Sequence, residues 1–304
     1  MSTSVTAGTS VTAATSVSAA PRALTPPRRR AKRMRHRAAS TALTIFTWIV
    51  TLGFFFPVAW MVFTAFKTEA AAATRIPTIF TSLSFDRFAE VLDRGFGVYL
   101  LNSLTASVMS TVIVLLLAIP AAYGLSIRPI IKSTDALFFF ISTRFMPIAA
   151  AIIPIYLLLQ GFGMLDNISA LSILYVGMNL PLAVWMMRSF FSEVPLEIVE
   201  AAQIDGANFF TELVRVVMPI VAPGIAAAAL ICFIFAWNEY FLASLLTSTM
   251  ARTTPPFLGS FVDGRGQFLA VLSAASTLAV LPVVLAGWLA QKRLVTGLAM
   301  GAIK

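Results

Sequence analysis

The sequence predicts an all-α, polytopic membrane protein with six transmembrane helices. Three observations carry that reading. Of the 304 residues, 59% are hydrophobic and only 12% are charged, whereas a soluble domain has about 25% charged residues. Six stretches stay apolar for about the 20 residues a helix needs to cross a bilayer core. The runs are continuous rather than alternating, which favours helices over barrel strands.

Residues 43–66 make the first span. Eight Lys and Arg residues fall within 22–37, directly before it and with no acid among them. Residues 1–40 are rich in Ser, Thr, Ala and Pro and lack hydrophobic periodicity, so they read as a disordered basic tail, with 41–304 as the membrane domain. A signal peptide would also place arginines before an apolar run, and an organelle transit peptide is a further competitor. The run is about twice an ordinary signal h-region in length, which favours an uncleaved span. The other spans are residues 101–127, 136–159, 168–187, 220–246 and 268–290. A short amphipathic stretch at 85–91 is expected to pack on the bundle from the first outer loop. Prolines inside the spans, among them Pro57, Pro120, Pro147, Pro181 and Pro223, suit a bundle that bends.

Charge gives the direction. With the N-terminus inside, the inner segments hold 15 Lys and Arg residues and the outer loops hold six. That excess predicts a multi-pass membrane protein with both termini cytoplasmic. The net charge of +9 resides mostly in the tail and reads as a topology or anionic-lipid signal rather than as nucleic-acid binding.

Several chemistries are excluded by inventory. Cys232 is the one cysteine and His36 the one histidine, so no disulfide framework, histidine triad or clustered-histidine metal site is available. No catalytic or metal-binding residues are expected. The nearest approach to a phosphate loop runs from Gly259 to Gly264 and continues with Arg265 and Gly266. It lacks the lysine and hydroxyl that such a loop needs. This chain therefore binds no ATP; any nucleotide must sit on another polypeptide.

The polar segment EAAQIDGANFF, residues 200–210, stands out between apolar runs. It lies in the largest inner loop, about residues 188–219. Pro195 suits a helix start, and Glu197 and Glu200 place acids near its positive end. Gly206 can take the left-handed conformation that ends a helix, and Asn208 can cap a second one through Phe209, Phe210 and Val217. Pro219 is expected to end that second helix as span five begins. The outcome is a bent helix pair exposing Phe209 and Phe210. Either it is a docking knob for another protein, or it rests on lipid.

The stretch EAAQIDGANFFTELVRVVMPIVAPGI resembles the EAA loop of ATP-binding-cassette importer permeases, through Glu200, Ala201, Ala202, Gly206 and the Met218–Pro219 step. From about residue 43 onward the chain resembles the carbohydrate-uptake subfamily, in particular its maltose-transporter-like smaller permease. YLLNSL at 99–104, TRFMPIAAAIIPIYLLL at 143–159, WNEYFLA at 237–243 and LVTGLAMGAIK at the end carry that likeness. Residues 272–295 are similar to sorbitol and mannitol permeases. The resemblance implies a cytoplasmic EAA coupling-helix loop that docks on an ATPase subunit, with Glu200, Ala201, Ala202, Asp205, Gly206, Phe209, Phe210 and Pro219 as its residues. It further implies a second homologous permease, two ATPase subunits carrying ATP and magnesium, an external solute-binding protein, and a sugar or polyol substrate.

Two ionisable residues fall inside spans. Arg144 and Glu239, the latter beside Trp237 and Asn238, are costly at membrane depth and should face a partner, water or substrate. Each has a plain alternative, pairing within a helix interface. In the outer loop, residues 247–267, exposed Phe257 and Phe261 would suit the external binding protein, although an ordinary connector is the rival reading. A self-sufficient ion-coupled transporter working through Arg144 and Glu239 is the competing function, but the chain shows no duplicated half.

Overall fold

A computed structural model describes residues 28–74, 76, 78–79, 81–128, 133–262 and 268–301; for 28–39, 133 and 292–301 the backbone alone is described. The chain divides into two units, Met1–Phe56 and Pro57–Lys304. Within the described residues the first unit is helix, the opening part of α1, Arg28–Thr64. Helix therefore begins about a dozen residues earlier than the expected end of the tail. Its start, RRRAKRMRHR, is built, apart from His36, from Arg, Lys, Ala and Met, all good helix formers, so it continues the apolar helix. Residues 1–27, the rest of the expected tail, lie outside the described residues.

Among its described residues the second unit's regular elements are all helices, joined by turns and short loops. The short α2, Glu69–Ala72, and α3, Asp86–Asp93, come before α4, Phe96–Ser126, the second span. Val91 of α3 is fully buried, as the amphipathic stretch requires. The third span is broken: α5, Ser133–Thr143, and α6, Ile148–Gly161, meet at 79°. Pro147 at the start of α6 lacks an N–H and disfavours helix in the residue before it, which explains why the expected single span divides here. Next comes α7, Ile168–Phe191, capped by Asn167 through Ser169 N and Ala170 N.

The inner loop folds as α8, Leu196–Ile204, and α9, Phe209–Thr211. From α9 the helix runs on through a π-helical segment, Glu212–Val217, into α10, Met218–Trp237. Pro219 thus does not end a helix, contrary to expectation. A π-turn shifts the hydrogen-bond register and frees the carbonyls that a proline cannot serve, so the chain continues into span five. Span five ends at Trp237, and α11, Phe241–Leu246, follows after a break. In the next loop lies α12, Thr254–Gly259, and α13, Leu269–Gly301, is the last span. Five helices among the described residues are long and apolar enough to cross a membrane, or six when the bent pair is counted as one span.

Three apolar clusters hold the second unit together. One joins the lower halves of α4, α7 and α10 to Val199, Leu213 and Val217. Another packs Leu171, Tyr175 and Ala236 against Leu242 and Leu246. The third collects Val91, Phe96, Phe257, Phe261 and the start of α13. α4 buries Ser103, Ser107, Ser110 and Thr111, and α7 buries Ser172 and Asn179. Small and hydroxyl-bearing side chains let two helices approach closely in a membrane.

Candidate functional site

The bend after α8 closes as its residues dictate. Gly206 has φ +82°, the left-handed region that favours glycine. Ala207 N donates to Ala202 O at 2.9 Å and Gly206 N to Gln203 O at 3.0 Å, which satisfies carbonyls at the helix end. Asn208 Oδ1 then accepts from Thr211 N at 2.9 Å and caps the next helix. A Cβ at Gly206 would meet nothing within 4 Å. Glycine is needed here for its backbone angle rather than for space within this chain.

The elbow has two faces. Val199, Leu213 and Val217 are buried in the core, and the Phe209 ring meets Tyr123 edge-on at 5.4 Å. Tyr123 in turn packs on Phe191. On the other face Ile204 is 86% and Phe210 70% exposed, with Phe209 about half exposed at 46%. Glu200, Ala201, Asp205 and Pro219 are exposed as well, while Ala202 is half-buried. Among the described residues neither Glu200 nor Asp205 forms an ion pair.

A polar tie, absent from the sequence reading, anchors the elbow. Glu212, fully buried, accepts from Arg128 Nη2 at 2.8 Å and from Gln203 Nε2 at 3.1 Å, both at Oε2. Its Oε1 is buried without a partner among the described residues. Arg128 follows the end of α4, and Ser126 Oγ lies 3.1 Å from Ser192 Oγ beside it. The elbow is thus bound to spans two and four at their common end. One signal was available: an acid beside the buried positions Leu213 and Val217, in a loop whose neighbouring turn supplies an arginine.

Arg144 sits in the break of span three. Its Nη1 donates to Met178 O at 2.6 Å, and its guanidinium lies 5.0 Å from the Phe235 ring centroid. It lines a cavity of about 530 Å3 together with Thr143, Met146, Gly177, Met178 and Leu242. Both sequence alternatives are therefore represented, the interface carbonyl and an open notch. Pro181 on the same wall has no N–H to give to Gly177 O. The notch accordingly combines a guanidinium donor with backbone acceptors on largely apolar walls.

The other predicted residues fall differently. Glu239 accepts from Leu242 N at 2.8 Å and Ala243 N at 3.0 Å, so its carboxylate caps α11. Trp237 is buried against Phe233, and Asn238 is exposed, donating to Ile234 O at 2.8 Å. Of these four pathway candidates only Arg144 reaches the notch. Phe257 and Phe261, expected at the surface, are 5% and 3% exposed. Phe257 stacks on Tyr99 at 4.6 Å and meets Phe261 edge-on at 5.0 Å. Aromatic side chains in a proline-rich loop satisfy themselves against the bundle when the loop folds back, so neither ring is offered to a partner. The glycine-rich residues 263–267 of this loop lie outside the described residues.

That loop is held down by an aspartate the sequence reading passed over. Asp166, at φ +53°, accepts from Ser248 N and Ala251 N on Oδ1, and from Thr249 N, Met250 N and Ser248 Oγ on Oδ2, all at 2.9–3.0 Å. Partial burial pushes its carboxyl up, but the four backbone N–H groups outweigh that and hold it well below the usual carboxylate range. Asn102 adds bonds to Met250 O and Arg252 O. Glu69 plays the same part for the last span, accepting from Ala270 N and Val271 N. The Asp166–Asn167 pair before a helix was the legible hint, since both residues tolerate turn geometries.

A chain of long apolar helices with a bent, half-buried helix pair beside the ends of spans two and four matches known proteins. Residues 95–296 match the family model described as "Binding-protein-dependent transport system inner membrane component". The chain belongs to this family. The permease is 32% identical over 262 residues to a probable ABC transporter permease protein of Sinorhizobium fredii, covering 86% of this chain and 94% of that one. To the diacetylchitobiose uptake system permease protein of Streptomyces coelicolor it is 30% identical, covering 84% and 94%. The fold resembles a chain in the crystal structure of a bacterial ABC transporter involved in the import of the acidic polysaccharide alginate, with a TM-score of 0.67, 26% identity, and 88% and 99% of the two chains covered. The expected ABC importer permease is thus borne out, as is a transport subunit rather than an enzyme. The competing ion-coupled reading loses on both counts: the family is binding-protein-dependent, and Glu239 is committed to α11.

Proposed function

We propose that this permease imports a sugar or sugar alcohol by alternating access, driven by ATP hydrolysis on separate subunits that dock on its elbow. The observation that carries the proposal is the elbow's division of labour. Ile204 and Phe210 project outward, while Glu212 is tied to Arg128 and the chain beyond continues unbroken into span five. A push on the exposed face is delivered to two spans at once. Exposed aromatic and aliphatic residues flanked by the acids Glu200 and Asp205 suit a groove with apolar walls and a basic rim.

In this reading the elbow and both termini are cytoplasmic, which the charge asymmetry supports. A second homologous permease completes the pathway, two ATPase subunits hold ATP and magnesium, and an external binding protein delivers substrate. The relative named for diacetylchitobiose and the structural neighbour named for alginate import support a carbohydrate substrate. The Arg144 notch supports it too, since guanidinium and carbonyl groups match the hydroxyls of a sugar.

The test is a reconstituted complex in liposomes carrying Gly206→Leu or Phe210→Ala. Each variant should insert normally, and its substrate-stimulated ATP hydrolysis and uptake should no longer rise together. Unimpaired, coupled turnover in both variants would count decisively against the elbow's role. Uptake by the wild type should be abolished by vanadate and indifferent to a protonophore.

A further inference from the structure

A second cavity, of about 290 Å3, lies where the end of α1 meets the start of α13, and its lining includes Trp60, Thr64, Lys67, Thr74, Thr78 and Ser273. Lys67 is only 2% exposed. Its Nζ donates to Thr78 O at 2.7 Å and lies 4.2 Å and 4.6 Å from the Trp60 and Phe63 ring centroids. A carbonyl and two ring faces solvate an ammonium, but they do not neutralise it. No ion pair among the described residues includes Lys67. The nearest acid in sequence, Glu69, is committed to the amides of Ala270 and Val271. Burial without a counter-ion draws the Lys67 pKa below its ordinary value.

A second group in the same wall also lacks a partner. Thr64, 8% exposed, has a buried Oγ1 with no hydrogen-bond partner among the described residues. The cavity therefore holds an unneutralised cation and an unused hydroxyl. Its remaining walls are apolar: Pro57, Met61 and Leu269 belong to membrane-crossing helices, and Ala71 and Ala72 to α2. Polar groups beside hydrocarbon walls are the chemistry of a lipid rather than of a free anion, and Trp and Lys gather at the membrane interface.

We propose that this cavity binds the phosphate headgroup of an anionic phospholipid, in the leaflet at the end of the bundle opposite the elbow. The Lys67 ammonium meets the phosphoryl charge, the Thr64 hydroxyl donates to a phosphoryl oxygen, and the acyl chains run along Pro57, Met61 and Leu269.

The experiment is native mass spectrometry of the full chain in mild detergent, titrated separately with phosphatidylglycerol, phosphatidylcholine and inorganic phosphate. The wild type should retain one phosphatidylglycerol per chain in preference to phosphatidylcholine. Lys67→Met should weaken that retention about five- to tenfold, the scale of one lysine's contact with an anionic lipid, while Lys67→Arg preserves it. Thr64→Val, which keeps the shape, should give a smaller loss and serves if Lys67→Met does not fold. Equal retention of the two lipids, retention untouched by loss of Lys67 or Thr64, or equally tight capture of inorganic phosphate would overturn the assignment.

Discussion

Arg128 and Glu212 are 84 residues apart in the chain and meet at 2.8 Å, with the carboxylate side chain fully buried and the guanidinium side chain 47% exposed. The pair is asymmetric, so removing either partner has a different result. Arg128→Ala strands a buried carboxylate and should destabilise by about 1–3 kcal/mol. Glu212→Gln removes the charge and keeps the shape, and should cost less. Combining the two should be less harmful than the sum, which thermal unfolding of the four proteins of the double-mutant cycle will show.

Gly206 predicts a ranking rather than a single loss. Its φ of +82° strains any residue with a Cβ, yet the space around it is open. Gly206→Asn should be tolerated best, Gly206→Ala should cost about 1–2 kcal/mol, and Gly206→Val more. A penalty scaling with side-chain volume instead would point to crowding that the structure does not contain. Melting temperatures of the series decide between them.

Gly224 illustrates crowding. A Cβ placed there would lie 2.3 Å from Cγ of Phe190, so α10 and α7 touch at this point. Gly224→Val should destabilise by about 1–3 kcal/mol through overpacking. Phe190→Ala in the same chain should recover part of that loss, as read by thermal unfolding.

The Asp166 latch carries a pH signature. Its carboxyl is depressed by four amides, so the latch's stabilisation is present in full above about pH 4, the unfolded carboxylate value. It declines as pH falls below that and vanishes once pH passes the depressed native value. Asp166→Asn should therefore melt earlier than wild type at pH 7, and the difference should narrow on acidification below pH 4. A constant difference across that range would show that charge is not what the amides bind.

Phe257 separates a packing role from a docking one. It is buried among Phe96, Tyr99 and Phe261. Phe257→Ala should lower stability by about 3–5 kcal/mol. Affinity for an external binding protein, measured on the fraction that stays folded, should not change.

Helical architecture was legible because lipid leaves the backbone few options and twenty apolar residues cannot be hidden. The elbow was legible for a different reason: Gly206 and Asn208 act on their own neighbours, and local geometry is written locally. What escaped the sequence depends on distant partners. The Asp166–Asn167 pair hints at a turn without pointing to the amides of 248–251, and the acid at Glu212 hints at a partner without singling out Arg128. Phe257 and Phe261 misled because composition distinguishes loop from span but not which loop folds back. Pro219 misled because a proline's effect depends on the turn before it, and here that turn is wider.

The wide turn at 212–217 holds one residue more than an ordinary helix would place there. Sliding such a surplus residue along the rod re-aims everything it passes by about 100°, with an axial shift of only about 1.5 Å. Were it to slide, span five would turn its sides against spans two, four and six while its two ends scarcely travelled, a screw motion that calls for no slack in the chain.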